Sequence, residues 1–159
     1  MELDPQALQS VIVAGLPLRT RWMINETPLD YDFSIARRGL QAPTTDMIES
    51  GEKEWFDLLI FGEYDYAEGG GASPLLGISK KDGVIYGLDL ERDNALFLLN
   101  SSIERFIRTF HLLNEFLGQG KPLPLDAEAR VGGIDPEAYP TSDWRLLVDY
   151  LTAAESDRG

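Results

Sequence analysis

Residues 95–117 read ALFLLNSSIERFIRTFHLLNEFL, and this stretch decides the fold. The apolar run at 95–99 is typical of a strand, and Asn100 and Ser101 end it. Ser101 followed by Glu104 forms a capping box, which predicts a helix from Ser101 to about Leu117. Apolar residues recur along this helix at spacings of three and four: Ile103, Phe106, Ile107, Phe110, Leu113 and Leu117. We expect this face, centred on Phe106 and Phe110, to cover a sheet.

A hairpin is predicted just upstream of that stretch. Leu75–Ser79 and residues 84–90 are strand candidates, and Asp82 and Gly83 lie in the turn between them. An Asp-Gly pair supplies the positive φ angles that a tight hairpin turn requires. After a second turn at 91–94, the strand at 95–99 completes an antiparallel meander of at least three strands.

The first third of the chain gives weaker patterns. Residues 5–14 are predicted to form a short helix, and 19–24 and 31–35 to form short strands. The polar stretch 37–53 has no sustained period, and we assign no role to it. Residues 55–61 are apolar except for Asp57, which is typical of a central strand covered on both faces, with Trp55 as a core anchor.

At the other end, Ser142 can cap a last helix after a proline-containing linker. Trp144, Leu147, Val148 and Leu151 form its buried stripe, and residues 155–159 are a frayed tail. The sequence therefore predicts one domain over 1–159 with an α+β fold. Its antiparallel sheet combines the meander with short N-terminal strands, and the helices pack on one face.

Composition limits the class of protein. The 159 residues include no cysteine and carry a formal net charge of −13. The lack of cysteine excludes disulfides and thiolate metal sites and favours a reducing compartment. The acidic N-terminus is unlike a signal peptide, and no run approaches the roughly 20 apolar residues of a membrane helix, so we expect a cytoplasmic protein. The negative charge disfavours nucleic acid and membrane as partners and favours cationic proteins, although it can also serve solubility alone.

Catalytic and metal-binding patterns are weak. His111 is the single histidine, so a Ser-His-Asp arrangement would have to include it and a histidine metal site would lack a second histidine. A surface position is the favoured interpretation of His111, and capping explains Ser101 without a nucleophilic role. The glycines at 69–71 lack the lysine and hydroxyl residue of a phosphate-binding loop. We therefore predict no catalytic residue, no cofactor and no metal, and a protein that is not an enzyme.

The acidic segment 63–71 is the candidate partner-binding site. Its tyrosines offer aromatic contact area, its carboxylates offer long-range attraction, and its glycines offer reach. A solvated acidic loop without a binding role is the alternative, and a hard cation is a third interpretation, although the carboxylate spacing does not match the calcium loop. The residues of the proposed site are Glu63, Tyr64, Asp65, Tyr66 and Glu68.

The succession of a strand, Asn100, Ser101, Ser102 and an amphipathic helix is the most specific part of a likeness to a known family that runs from Gly15 to Leu117. In this succession the middle of the chain resembles the SUKH superfamily, and its fourth subgroup of bacterial toxin-immunity proteins most of all. Further matching positions are Leu58 to Gly62, Leu75, Gly77, Ile78, Asp82, Gly83, Val84, Tyr86 and Asp89. A weaker similarity continues at Asp135, Pro136, Glu137 and Trp144.

The resemblance implies an immunity protein that neutralises a cognate toxin by direct binding, without catalytic residues. We expect the free chain to be a monomer. Toxins neutralised by this family include nucleases and deaminases, and a cationic surface would suit the charge of this chain. A regulatory scaffold that binds cellular proteins is the alternative, since the wider superfamily includes such members. A hydrolase or small-ligand binder would need convergent polar residues that the sequence does not offer.

Overall fold

The computed structural model describes residues 12, 14–15, 23–24, 27–28, 32–35, 57–65, 75–88, 96–117 and 123–158. Within them, a two-stranded antiparallel sheet and a larger five-stranded sheet are formed. The strands of the small sheet are β1 (Met23–Ile24) and β2 (Thr27–Pro28). Those of the large sheet are β3 (Asp32–Ile35), β4 (Leu58–Asp65), β5 (Leu75–Ser79), β6 (Ile85–Leu88) and β7 (Leu96–Asn100).

The large sheet is an antiparallel meander, because its strands follow one another in chain order from β3 to β7. The helices are α1 (Ile103–Leu117), α2 (Ala127–Ile134), a 3₁₀ turn (Tyr139–Thr141) and α3 (Asp143–Arg158). This arrangement confirms the predicted α+β class with an antiparallel meander. No helix in the described part of the chain is both long and apolar enough to span a membrane.

The β5–β6 hairpin forms as its turn chemistry predicts. Gly83 has a φ of 74°, a conformation that residues with a Cβ rarely adopt. The Asp82 carboxylate accepts a hydrogen bond from the Val84 amide at 3.1 Å, and the Gly83 amide donates to the Ser79 carbonyl at 2.9 Å. Side-chain and backbone bonds therefore hold the turn together.

The core lies between the sheet and the helices. Phe106, in the first turn of α1, is fully buried and contacts Phe61 of β4 edge to face, with ring centroids 5.5 Å apart. On its other side the Trp144 ring of α3 lies 5.9 Å away. Phe110 is fully buried in the same cluster. The predicted apolar face of α1 and the buried stripe of α3 are both confirmed.

A bulge in β4 helps to fill this core. The register against β5 shifts between Ile60 and Gly62, so Phe61 is the extra residue. Leu58 and Ile60 are buried, yet they are not part of the cluster that contains Phe106. The strand therefore buries apolar side chains on both faces, as its continuous apolar run predicts. The prediction of a central strand is correct only in part, because β5 is the middle strand of the sheet.

Gly87 of β6 makes room for an aromatic ring. It pairs with Phe97 of β7, and a Cβ built on Gly87 would overlap the Phe97 ring. Phe97 is 8% exposed and belongs to the main core. A strand glycine that weakens the local backbone thus allows an aromatic side chain to lie flat across the neighbouring strand.

Two predictions about the helices need correction. Ser102, and not Ser101, caps α1, because the Arg105 amide donates to Ser102 Oγ at 3.2 Å while the Ser101 hydroxyl binds elsewhere. The linker before the last helix contains α2, which the sequence did not predict. Two adjacent glycines weaken its helical pattern, and burial of Ala127 and Val131 stabilises it instead.

Several predictions concern residues that the structure describes only in part. Trp55, the stretch 37–53, the turn at 91–94 and most of the first helix lie outside the described residues. Ile12, Ala14 and Gly15 are helical, and Ile12 is fully buried in the main core. The sequence predicts an end of this helix at Ala14, and the structure extends it at least to Gly15.

Candidate protein-binding site

The first three residues of the predicted partner-binding loop belong to a strand. Residues 63–65 continue β4, because the backbone pairs with β3 in a register that places Asp65 opposite Asp32 and Glu63 opposite Ser34. The prediction of a loop over these residues is wrong, since backbone pairing with a distant segment extends the strand. Tyr64 is likewise a strand residue, opposite Phe33. Tyr66 and Glu68 lie outside the described residues.

The most densely connected polar site in the described chain is centred on Asp135, at the end of α2. Its carboxylate accepts hydrogen bonds from the Ser101 amide at 2.7 Å and the Ser101 hydroxyl at 2.9 Å. Further donors are the Asn100 side-chain amide at 3.1 Å and the Ala138 amide at 3.3 Å. Arg105 Nη1 lies 3.2 Å from the same carboxylate. The side chain of Asp135 is 3% exposed, so these donors replace the water that it loses.

Asn100 connects this carboxylate to the last helix. Its side-chain oxygen accepts a hydrogen bond from Trp144 Nε1 at 2.7 Å, and its side-chain amide also donates to Thr109 Oγ1 at 3.2 Å. Nearby, the Ser142 hydroxyl donates to the Leu99 carbonyl at 2.6 Å and accepts from the Trp144 amide at 3.1 Å. The predicted cap at Ser142 is confirmed. The end of β7, α1 and the start of α3 are thus held by one buried network.

Opposing effects act on the pKa of Asp135. Burial raises the pKa, but the hydrogen bonds from Ser101, Asn100 and Ala138 together lower it by more than burial raises it. The carboxyl of Asp135 therefore has a pKa below its ordinary value. Arg105 adds a cation that is shared with the exposed Glu137, whose carboxylate lies 3.5 Å from Nη1. The network is therefore a buried carboxylate with a half-exposed guanidinium at its rim.

The polar groups around Asp135 stabilise the fold, and Ser101 among them is not activated as a nucleophile. The Ser101 hydroxyl donates to Asp135 and accepts from Arg105 Nη1 at 2.7 Å, so both of its hydrogen-bonding roles are occupied. A nucleophilic serine would need a base that can take its proton, whereas this carboxylate is already held by several donors. The sequence did not predict that Asp135 is the central acceptor of this network, because Asp135 lies 34 residues from Ser101 along the chain.

His111 lies on the exposed side of α1, away from this network. Its Nε2 contacts the Gly15 carbonyl, which ties the N-terminal segment to α1. A Cβ on Gly15 would approach the Ile107 side chain to 2.8 Å, so the two segments pack closely there. Within the described residues, no group of three or more histidine, aspartate or glutamate side chains could hold a metal ion.

Comparisons of this chain with protein-family models, curated proteins and solved structures found no match.

Proposed function

We propose that this chain binds a cationic protein through its acidic surface, and that it is an immunity protein which neutralises a toxin of a bacterial polymorphic toxin system. The observation that carries the proposal is the net charge of −13 together with its location. Among the described residues with assigned exposure, Asp135 is buried, whereas these acidic residues are exposed: Asp82, Glu104, Glu115, Asp126, Glu128, Glu137 and Asp149.

Physical reasons connect this charge to a toxin. A protein that cleaves or modifies nucleic acid carries a cationic channel for the phosphate backbone. An acidic domain is attracted to such a channel over long range and, once bound, blocks it. Affinity also requires a desolvated centre within an interface of about 1,600 Å² in total. We propose Tyr64 and Tyr66 for that centre, with Glu63, Asp65 and Glu68 around them.

A binding role also agrees with the state of the polar residues in the core. Asn100, Ser101 and Asp135 satisfy one another and position β7, α1 and α3. A rigid support of this kind suits a preformed docking surface, because little conformational entropy is then lost when a partner binds.

Co-expression with the product of the adjacent gene tests the proposal. We expect the two proteins to co-purify as a one-to-one complex, and the adjacent gene to arrest growth when expressed without this chain. Association that slows as salt is raised would agree with long-range electrostatic attraction. If the chain instead binds a cellular protein and protects against no toxin, a regulatory scaffold is the correct function.

A further inference from the structure

The five-stranded sheet has two edge strands, β3 and β7, and they differ in what covers them. At β7 the Leu99 carbonyl accepts a hydrogen bond from the Ser142 hydroxyl, and the Ser101 amide just beyond the strand donates to the Asp135 carboxylate. α1, α3 and the 3₁₀ turn also contact β7. At β3, no strand among the described residues pairs with the side that faces away from β4. β3 is therefore the edge at which another strand can extend the sheet.

The hydrogen-bond pattern across the sheet shows which backbone groups of β3 face outward. The backbone groups of successive strand residues point alternately to the two neighbouring strands. The Ser79 amide donates to the Val84 carbonyl at 2.9 Å, so Ser79 is directed toward β6. Three residues earlier on β5, Leu76 is therefore directed toward β4, where it pairs with Gly62. Gly62 is accordingly directed toward β5.

The same alternation continues from β4 into β3. Glu63 and Asp65, one and three residues after Gly62, are directed toward β3, where they pair with Ser34 and Asp32. Those two residues of β3 therefore exchange backbone hydrogen bonds with β4. The residues of β3 whose amides and carbonyls face away from β4 are Phe33 and Ile35. Outward backbone donors and acceptors of this kind are the template to which a strand of another chain adds.

The residues next to this edge are acidic. Asp32 of β3 lies opposite Asp65 of β4, and Glu63 is two residues before Asp65, so the three belong to one face of the sheet. Neither β3 nor β4 contains a lysine or an arginine. Charge on an edge strand opposes pairing with a like-charged strand and permits pairing with an oppositely charged one. A second copy of this chain carries the same net charge of −13, so the two edges repel each other.

We propose that β3 is a docking site for an extended, lysine-bearing segment of the cationic partner, which adds to the sheet as a sixth strand. This inference rests on the proposed function and adds backbone pairing as the mode of binding. The outward backbone groups of Phe33 and Ile35 supply hydrogen bonds that do not depend on the partner's side chains. Lysines at every second position of the added strand lie on one face, and on that face they are next to Asp32.

The experiment adds a synthetic ten-residue peptide of alternating lysine and valine to the ¹⁵N-labelled full chain and follows amide hydrogen exchange by NMR. Exchange of the Phe33 and Ile35 amides should slow about tenfold or more, because these amides gain hydrogen-bond acceptors. The Asp32 and Ser34 amides, which already pair with β4, should change by less than about twofold. A peptide of alternating glutamate and valine is the control and should leave all four amides unchanged.

Charge variants test the choice of a cationic strand. Asp32→Asn with Asp65→Asn removes two charges beside the edge at nearly constant side-chain size and should weaken binding of the lysine peptide about tenfold. The matched control, Glu104→Gln with Glu115→Gln, removes two charges from α1 and should change the affinity by less than about twofold. Circular dichroism and melting temperature verify that each variant is folded.

An added strand protects alternate residues, so equal slowing at all four amides of β3, or at none of them, would overturn the inference. Equal losses of affinity in the two double variants would also overturn it, because the peptide would then respond only to net charge. The adjacent gene product separates this inference from the proposed function. A complex that forms without protection of Phe33 and Ile35 overturns the inference alone. The absence of any complex overturns the proposed function, and the peptide titration still decides whether β3 accepts a strand.

Discussion

Removal of the Asp135 carboxylate is the most direct test of the buried network. Asp135→Ala removes the carboxylate that accepts from the Ser101 and Ala138 amides, and it removes one of the acceptors of the Asn100 side chain and of Arg105. An unsatisfied buried donor costs about 1–3 kcal/mol, and removing one partner of a buried ion pair costs about 3–5 kcal/mol. Because these contributions overlap and water can reach Arg105, we expect a total loss of about 3–5 kcal/mol in the free energy of unfolding.

Denaturant titration at neutral pH measures this loss, with Arg105→Ala as the matched control. That variant removes only the half-exposed partner and leaves four hydrogen bonds to Asp135, so its loss should be about 1 kcal/mol. If Asp135→Ala loses less than about 1 kcal/mol, or no more than the control, the network does not hold the helices to the sheet as described.

The pH dependence gives a second readout of the same carboxylate. Its pKa is lower in the folded chain than the ordinary value of about 3.9, so ionised Asp135 stabilises the fold above that value. The stabilisation is lost as pH falls through the folded-state pKa. The difference in stability between wild type and Asp135→Asn should therefore be constant between about pH 5 and 7 and should shrink below about pH 4. A difference that grows on acidification would contradict the assigned direction.

Other sites give further predictions. Gly87→Ala should destabilise by about 3 kcal/mol or more, because the new methyl group displaces the Phe97 ring; a change under about 1 kcal/mol in denaturant titration would show that the ring moves freely. Tyr139→Phe should raise the free energy of unfolding by about 1 kcal/mol, because it removes a buried hydroxyl that makes no hydrogen bond within the described residues. A clear loss of stability in denaturant titration would instead show that the hydroxyl has a partner elsewhere in the chain. Replacement of Glu63, Asp65 and Glu68 by lysine should leave the melting temperature nearly unchanged. It should slow association with the cationic partner about tenfold at low salt, which surface plasmon resonance can measure. Association rates equal to those of the wild type would show that these three residues do not belong to the interface.

Local signals predicted the parts of the fold that local chemistry determines. The Asp82-Gly83 turn and the amphipathic period of α1 each depend on residues a few positions apart, and both are confirmed. α2 escaped prediction because its stability comes from packing against the core and not from its own glycine-bearing sequence. The extension of β4 to Asp65 likewise depends on β3, about thirty residues earlier in the chain.

The polar network shows the same division between local and distant causes. A serine pair before an amphipathic helix predicts a cap, and Ser102 provides one. Which serine caps the helix is decided by Asp135, because its carboxylate binds both the amide and the hydroxyl of Ser101. No sequence periodicity connects positions so far apart, so the role of Asp135 as the central acceptor is visible only in the folded chain.

Among the acidic residues, Asp135 stabilises the fold, but the exposed carboxylates do not have this role. Asp135 stabilises the described fold through buried contacts, whereas the exposed carboxylates of Glu128 and Glu137 have weak internal partners or none in the described part of the chain. A net charge of −13 on a domain of this size repels itself and lowers stability, and solubility is achieved with less. The proposed binding of a cationic protein would give a function to the charge that folding does not require.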